Sequence, residues 1–127
     1  MTYLLSFEIR VDGELRRSVM TDERNVTIGR SAGAVIQADD AALDDLHSVV
    51  LQQDDGTMVL LSYSDLQPTL LNGEPARSAH VSEGDVIQCG NTTVTLLERR
   101  AAARRAGLDG DRWFPNLFRT MRRRLTR

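Results

Sequence analysis

The sequence predicts an all-β domain, a sandwich of antiparallel and mixed strands, followed by a basic helical tail. Short apolar and β-branched runs recur between turn signals from Tyr3 to Glu98. No stretch before residue 98 shows the three-and-four spacing of a long amphipathic helix. At Arg99 the composition changes abruptly: residues 1–98 hold 6 arginines against 16 acids, and residues 99–127 hold 10 arginines against 2 acids. The chain therefore divides into a sandwich (1–98, net −10) and an arginine-rich tail (99–127, net +8), two parts that should attract each other.

The elements follow in order. Tyr3 to Val11 forms the first strand, and Asp12-Gly13 is a two-residue hairpin signal leading into Glu14 to Met20. Asn25 to Gly29 is a short third strand; Val35-Ile36-Gln37 is a fourth, after the turn-forming Ser31-Ala32-Gly33. Ala38 to Asp45 reads as an exposed acidic loop with a helical turn at Ala41-Ala42-Leu43. Leu46 to Gln53 and Thr57 to Ser62 form a hairpin around Asp54-Asp55-Gly56. Thr69 to Leu71 is a short strand before the turn Asn72-Gly73, and Ala79 to Val81 is another. After the turn Ser82 to Asp85, Val86 to Cys89 pairs with Thr92 to Leu97 across Gly90-Asn91.

With 127 residues, the chain has room for one domain and a tail. Apolar residues make up 41% and charged residues 27%, and no run approaches the roughly 20 apolar residues that span a bilayer. The amino terminus lacks a basic n-region and carries Glu8 inside its first apolar stretch, so a cytoplasmic location is expected, with the tail permitting a position at the inner face of a membrane. The single cysteine, Cys89, excludes an internal disulfide and is expected as a buried thiol in a strand. All 16 basic residues are arginine, the better side chain for bidentate contacts to phosphate and carboxylate.

Several residues have turn or loop chemistry that fixes a framework. Gly29, Gly73, Gly84 and Gly90 stand where strands reverse, and Asn72 favours the left-handed conformation such turns need. Asp85 can accept backbone donors across its own turn, and His47, followed by apolar residues, is expected to bond loop backbone. These residues, in this order and with β-strand patterns between them, carry a resemblance. Gly29-Arg30, His47, Asn72-Gly73 and Gly84-Asp85-Val86-Ile87-Gln88-Cys89-Gly90 make residues 3–98 similar to the forkhead-associated domain family. The resemblance implies a β-sandwich whose loops at one end usually read phosphothreonine, and it implies the site residues. The arginine of the family's Gly-Arg falls on Arg30 and the histidine of its Ser-Arg-x-His falls on His47. The serine and arginine of that motif fall on Asp44 and Asp45, and the asparagine of the later Ser-x-Asn-Gly-Thr loop falls on Gln67, just before Thr69.

Those departures invert the chemistry. Phosphothreonine carries nearly two negative charges and is captured by arginine and by hydroxyl or amide donors. An aspartate about 6 Å from a dianion costs on the order of 1 to 5 kcal/mol, and each lost charge-assisted bond costs roughly 1.5 to 3 more. A micromolar complex is worth only about −8 kcal/mol. The loop face of Arg30, Asp44, Asp45, Gln67 and Thr69 is therefore expected to bind a partner without phosphate. Asp39, Asp40, Asp44 and Asp45 form an acidic surface suited to solvent or to a basic partner, and they lack the alternating spacing of a calcium loop. No cofactor, metal site or catalytic residue is expected, since His47, His80 and Cys89 each have a structural explanation.

In the tail, Arg99 to Ala106 is a good helix former, broken by Gly107-Leu108-Asp109-Gly110. A second element places Phe114, Leu117, Phe118, Met121 and Leu125 at offsets of three and four, with Trp113 at its start and arginines on the other faces. Its readings are protein docking through Trp113, Phe114, Leu117, Phe118 and Met121, back on the acidic sandwich or on another subunit, then an anionic membrane surface, with nucleic acid disfavoured for want of a reading motif. The function expected is a non-catalytic scaffold or adaptor, a role that degenerate members of the family fill in bacterial secretion and motility assemblies. One alternative is a phosphothreonine-dependent adaptor in which Arg30, Gln67 and a tail arginine supply the positive charge. The other is a peripheral membrane protein held by residues 111–127.

Overall fold

Strand β1 (Tyr3–Val11) buries every second residue, and that alternation sets the layering of the protein. Leu5, Phe7, Ile9 and Val11 turn inward, and burying each contributes about 1.5 to 3 kcal/mol. The structure, a computed structural model, describes residues 2–65 and 67–101. The tail elements expected over 102–127 lie outside the described residues.

On one side β1 pairs with β2 (Glu14–Thr21) through Asp12 and Gly13, whose φ angles of 55° and 78° give the turn that matches strand twist. Two short strands of the other layer come next, β3 (Asn25–Gly29) and β4 (Ile36–Gln37), which pair in parallel. The hairpin β5 (Ser48–Gln52) and β6 (Met58–Ser62) follows, then β7 (Thr69–Leu71), β8 (Glu74–Pro75), β9 (Ser78–Val81), β10 (Val86–Cys89) and β11 (Thr92–Ala101). One sheet has the order β2-β1-β11-β10-β7-β8 and the other β4-β3-β5-β6-β9, all pairs but β3–β4 being antiparallel. Val26, Ile28, Val50, Met58 and Leu60 of the second sheet meet Phe7, Ile9, Ile87, Val94 and Leu96 of the first to form the core. Cys89 is among them, and burial pushes its thiol pKa up.

The all-β sandwich expected from the sequence is what forms, with four local differences. Ala41–Leu43 is not a helical turn but a simple one, closed by the Leu43 N–H on the Asp40 carbonyl (2.9 Å). Val35 precedes β4 instead of belonging to it, and β8 had no apolar pattern to announce it. Strand β11 runs to Ala101, three residues past Glu98, so Arg99 to Ala101 pair with Leu5, Leu4 and Tyr3 instead of opening a helix. The Arg99 guanidinium lies 4.4 Å over the Tyr3 ring and donates to the Gly56 carbonyl, while the Arg99 backbone N–H donates to Glu83 Oε2 at 2.6 Å. Sheet pairing and a cation–π contact outweigh the few tenths of a kcal/mol that alanine and arginine gain in a helix.

Gln52 ties the two layers together. Its buried amide accepts from the Tyr3 N–H (2.7 Å) and donates to the Tyr3 and Glu23 carbonyls (3.0 Å each). Replacing it with leucine leaves three backbone groups unpaired, and Gln52→Leu is expected to cost about 2 to 3 kcal/mol. The check is urea unfolding, where the midpoint should fall with the slope unchanged.

Candidate functional site

Three loops converge at one end of the sandwich: 30–35 between β3 and β4, 38–47 before β5, and 63–68 before β7. His47 pins them. Fully buried, it donates its N–H to the Ile28 carbonyl (2.8 Å) and accepts at its own carbonyl from the Tyr63 N–H (2.9 Å). Its Nδ1 accepts from the Asp44 N–H (3.2 Å), which places the neutral ring's proton on Nε2. Nε2 has no partner of proper hydrogen-bond geometry, although the Gln67 backbone lies close enough to favour the charged ring.

Burial pulls the His47 pKa below its ordinary 6.5, against the opposing pull of Asp44, Gln67 and Asp40. Protonation at Nδ1 would also remove the lone pair that the Asp44 N–H uses. The unfolded chain therefore takes up this proton first as pH falls. Stability is full above 6.5 and is lost as pH drops from there through the lower folded-state value. Urea midpoints measured between about pH 8 and pH 5 should decline on the acid side, and His47→Gln should flatten that part of the profile.

The acidic loop splits into an interior and a rim. Asp40 is not on the expected acidic surface: it is 5% exposed and bridges to the β10–β11 turn. Its carboxylate accepts from the Ala42 N–H (3.0 Å), the Asn91 N–H (2.8 Å), the Asn91 side chain (3.4 Å) and the Thr92 hydroxyl (2.8 Å). Burial alone would raise its pKa, but these donors together hold it below the usual carboxylate value. Asp40→Ala is expected to cost about 3 kcal/mol by stranding buried donors, a loss calorimetry would read as a lower Tm.

Asp44 and Asp45 stay on the rim. The Asp44 carbonyl takes the Arg30 N–H (3.0 Å), and its carboxylate reaches across to the Asp65 N–H (3.2 Å), spanning the gap between two loops. The Asp45 carbonyl takes the Ser31 N–H (3.3 Å), and its exposed side chain lines a shallow groove with Thr27, Ser31, Gly33 and Leu46. Arg30 is exposed, and its guanidinium has no ion-pair partner among the described residues. Gln67 is exposed and is held through its backbone N–H on Ser64 Oγ (3.2 Å). Gly29 lets this packing happen, because a Cβ there would stand 2.0 Å from the Asp45 carbonyl oxygen.

Thr69, expected on the loop face, is not there. It is 1% exposed, because β7 begins with it and turns it toward the core. Its hydroxyl bonds Ser48 Oγ (2.7 Å) and Ser62 Oγ (2.9 Å), and Ser48 reaches Cys89 Sγ (3.5 Å). The other framework residues take their places in turns. Asn72 and Gly73 have φ of 52° and 87°, Asp85 accepts from the Ser82 N–H (2.8 Å) and the Asn72 amide (3.1 Å), and Asn72 Oδ1 accepts from the Val86 N–H (2.9 Å). Gly90 leaves room for Ala42, whose Cβ would lie 2.7 Å from a side chain at that position. Among the described residues no group of three or more His, Cys, Asp or Glu is placed to hold a metal.

Sequence reasoning missed Asp40 and Gln52 as structural ties. Strand alternation does hold a signal for Gln52, which shares its face with Ser48 and Val50. It also passed over Leu46 and Tyr63, which the structure leaves 43% and 54% exposed beside the loops.

No protein-family model and no curated protein matches the chain. Solved structures do. A domain from a structural and functional analysis of phosphothreonine-dependent forkhead-associated interactions superposes with a TM-score of 0.65 at 21% identity, over 75% of this chain and 96% of that one. The forkhead-associated domain of an Arabidopsis thaliana hypothetical protein gives 0.66 at 21% identity, over 84% and 92%. Mycobacterium tuberculosis EmbR, solved in complex with a low-affinity phosphopeptide, gives 0.65 at 18% identity, over 80% of this chain and 26% of that longer one. The chain has the forkhead-associated fold.

Proposed function

We propose that the protein is a non-catalytic protein-interaction module whose loop end engages its partner without a phosphate, as a scaffold or adaptor. The fold supports the coarser part of this reading, since EmbR was solved with a phosphopeptide and another match comes from a study of phosphothreonine-dependent interactions. One observation carries the finer part. Carboxylates occupy the rim next to the loop that carries Arg30: the Asp44 carboxylate reaches across to the Asp65 N–H, and Asp45 lies beside Ser31. A dianion brought to Arg30 meets both. At about 6 Å each repulsion costs on the order of 1 to 5 kcal/mol, against about 1.5 to 3 kcal/mol for the arginine's own charge-assisted bond. The balance favours a basic or neutral partner segment. The alternatives of a phosphothreonine adaptor and of a membrane-held protein lack an observation of this kind.

An array carrying phosphorylated and unphosphorylated versions of each peptide, probed with the full chain, tests the reading. Retention should follow basic sequence, weaken with salt and gain nothing from phosphorylation. Signal confined to phosphothreonine spots and lost in Arg30→Ala would overturn it.

A further inference from the structure

The two outer faces of the sandwich differ in chemistry. On the six-stranded sheet charged and polar residues, Glu8, Arg10, Gln88, Thr93 and Thr95, interrupt the outward apolar ones, Leu4, Leu15, Met20 and Val86. On the five-stranded sheet the outward residues of β3, β5 and β6 are Asn25, Thr27, Val49, Leu51, Val59 and Leu61, none of them charged. They are cross-strand neighbours, with Asn25 opposite Leu51, Thr27 opposite Val49, Val49 opposite Leu61 and Leu51 opposite Val59. Leu46 and Tyr63 extend this surface toward the loops, and with Val49, Leu51 and Leu61 they border one shallow depression. Acids flank it: Asp45 beside Leu46 at one end, and at the other, in the β5–β6 turn, Asp55 together with Asp54, which is paired with Arg24 (3.0 Å). Val49 is buried among its neighbours, while Leu46 and Tyr63 are exposed and Leu51, Val59 and Leu61 half-buried, an uncharged surface of the kind that marks interaction sites.

We propose that its occupant is the chain's own C-terminal segment, residues 113–125, docked in cis. Composition, length and charge name it. Trp113, Phe114, Leu117, Phe118, Met121 and Leu125 give an apolar stripe, and Arg119, Arg122, Arg123 and Arg124 stand between its members. In helical form, Phe114 to Leu125 measures about 18 Å. The five-residue strands β3, β5 and β6 run about 17 Å each. The residues between Ala101 and Phe114 reach about 40 Å when extended, ample to round a sandwich whose layers lie about 10 Å apart. The segment's arginines then meet the acids at the ends of the face, in keeping with net charges of −10 before Arg99 and +8 from Arg99 on.

Trp113 is the only tryptophan, so its fluorescence reports the segment alone. In the dilute full chain its emission should be blue-shifted, weakly quenched by acrylamide and independent of protein concentration. Leu46→Ser combined with Tyr63→Ser, both at exposed positions, should shift the emission to the red and raise quenching several-fold, while the unfolding midpoint verifies the fold. Phe118→Ser should do the same without altering the sheet, and Leu15→Ser, on the other sheet, should change nothing. Water-exposed emission in the parent chain, or emission indifferent to the face variant, overturns the proposal. So does a blue shift that emerges only at high protein concentration, which assigns the face to a second copy, or only with anionic vesicles, which assigns the segment to a membrane.

Discussion

Gly29→Ala is expected to destabilise the sandwich by about 3 kcal/mol or more, roughly a fifth to three fifths of the stability of a typical domain. The reason is not backbone freedom. The added methyl would sit 2.0 Å from the Asp45 carbonyl oxygen, 2.7 Å from its carbon and 3.0 Å from the Asp44 oxygen, all of them backbone atoms without rotamers to retreat into. Relief requires the 44–45 segment to move outward. That breaks the Arg30 N–H bond to Asp44 (3.0 Å) and the Ser31 N–H bond to Asp45 (3.3 Å), and it loosens the His47 contact to the Asp44 N–H (3.2 Å). Guanidinium unfolding should show a large drop in midpoint. A variant as stable as the parent would mean that the loops do not pack as described.

The second large effect is a gain. Asp44→Ser combined with Asp45→Arg should raise affinity for a phosphothreonine peptide by about 100-fold or more, since two repulsions vanish and two favourable donors replace them. The serine keeps a hydroxyl oxygen on the side of the Asp65 N–H, one bond shorter than the carboxylate oxygen it replaces, and the unfolding midpoint verifies the fold of the variant. Arg30→Ala in that background should abolish the gain. The parent chain with Arg30→Ala should show no phosphate-linked change at all.

Much of the fold was legible because strand alternation and turn chemistry are local. Leu5, Phe7, Ile9 and Val11 announce an inward face by period alone, and Asp12-Gly13 and Asn72-Gly73 announce positive φ by residue type. What escaped is nonlocal. The run Arg99 to Ala101 has the composition of a helix and becomes strand because Tyr3, Leu4 and Leu5 wait beside it in space. Asp40 looks like its neighbour Asp39, yet one is buried under four donors from two elements and the other is exposed. Thr69 was assigned to a binding surface by its place after a loop, whereas pairing with Cys89 turns it inward. The rim residues Arg30, Asp44, Asp45 and Gln67 do come together at one end, a placement that follows from the loop order of the forkhead-associated fold more than from any pattern within the loops themselves.

The sign of the rim carries the functional account, and one titration reads it directly. Amide chemical shifts of Arg30, Ser31, Asp45 and Gln67 can be followed in the full chain as a short phosphothreonine peptide and its unphosphorylated twin are added at low ionic strength. The account predicts the same weak, unsaturating response to both up to about millimolar concentration, the range of a −4 kcal/mol interaction. Saturable micromolar shifts at those four amides with the phosphorylated peptide alone would contradict it.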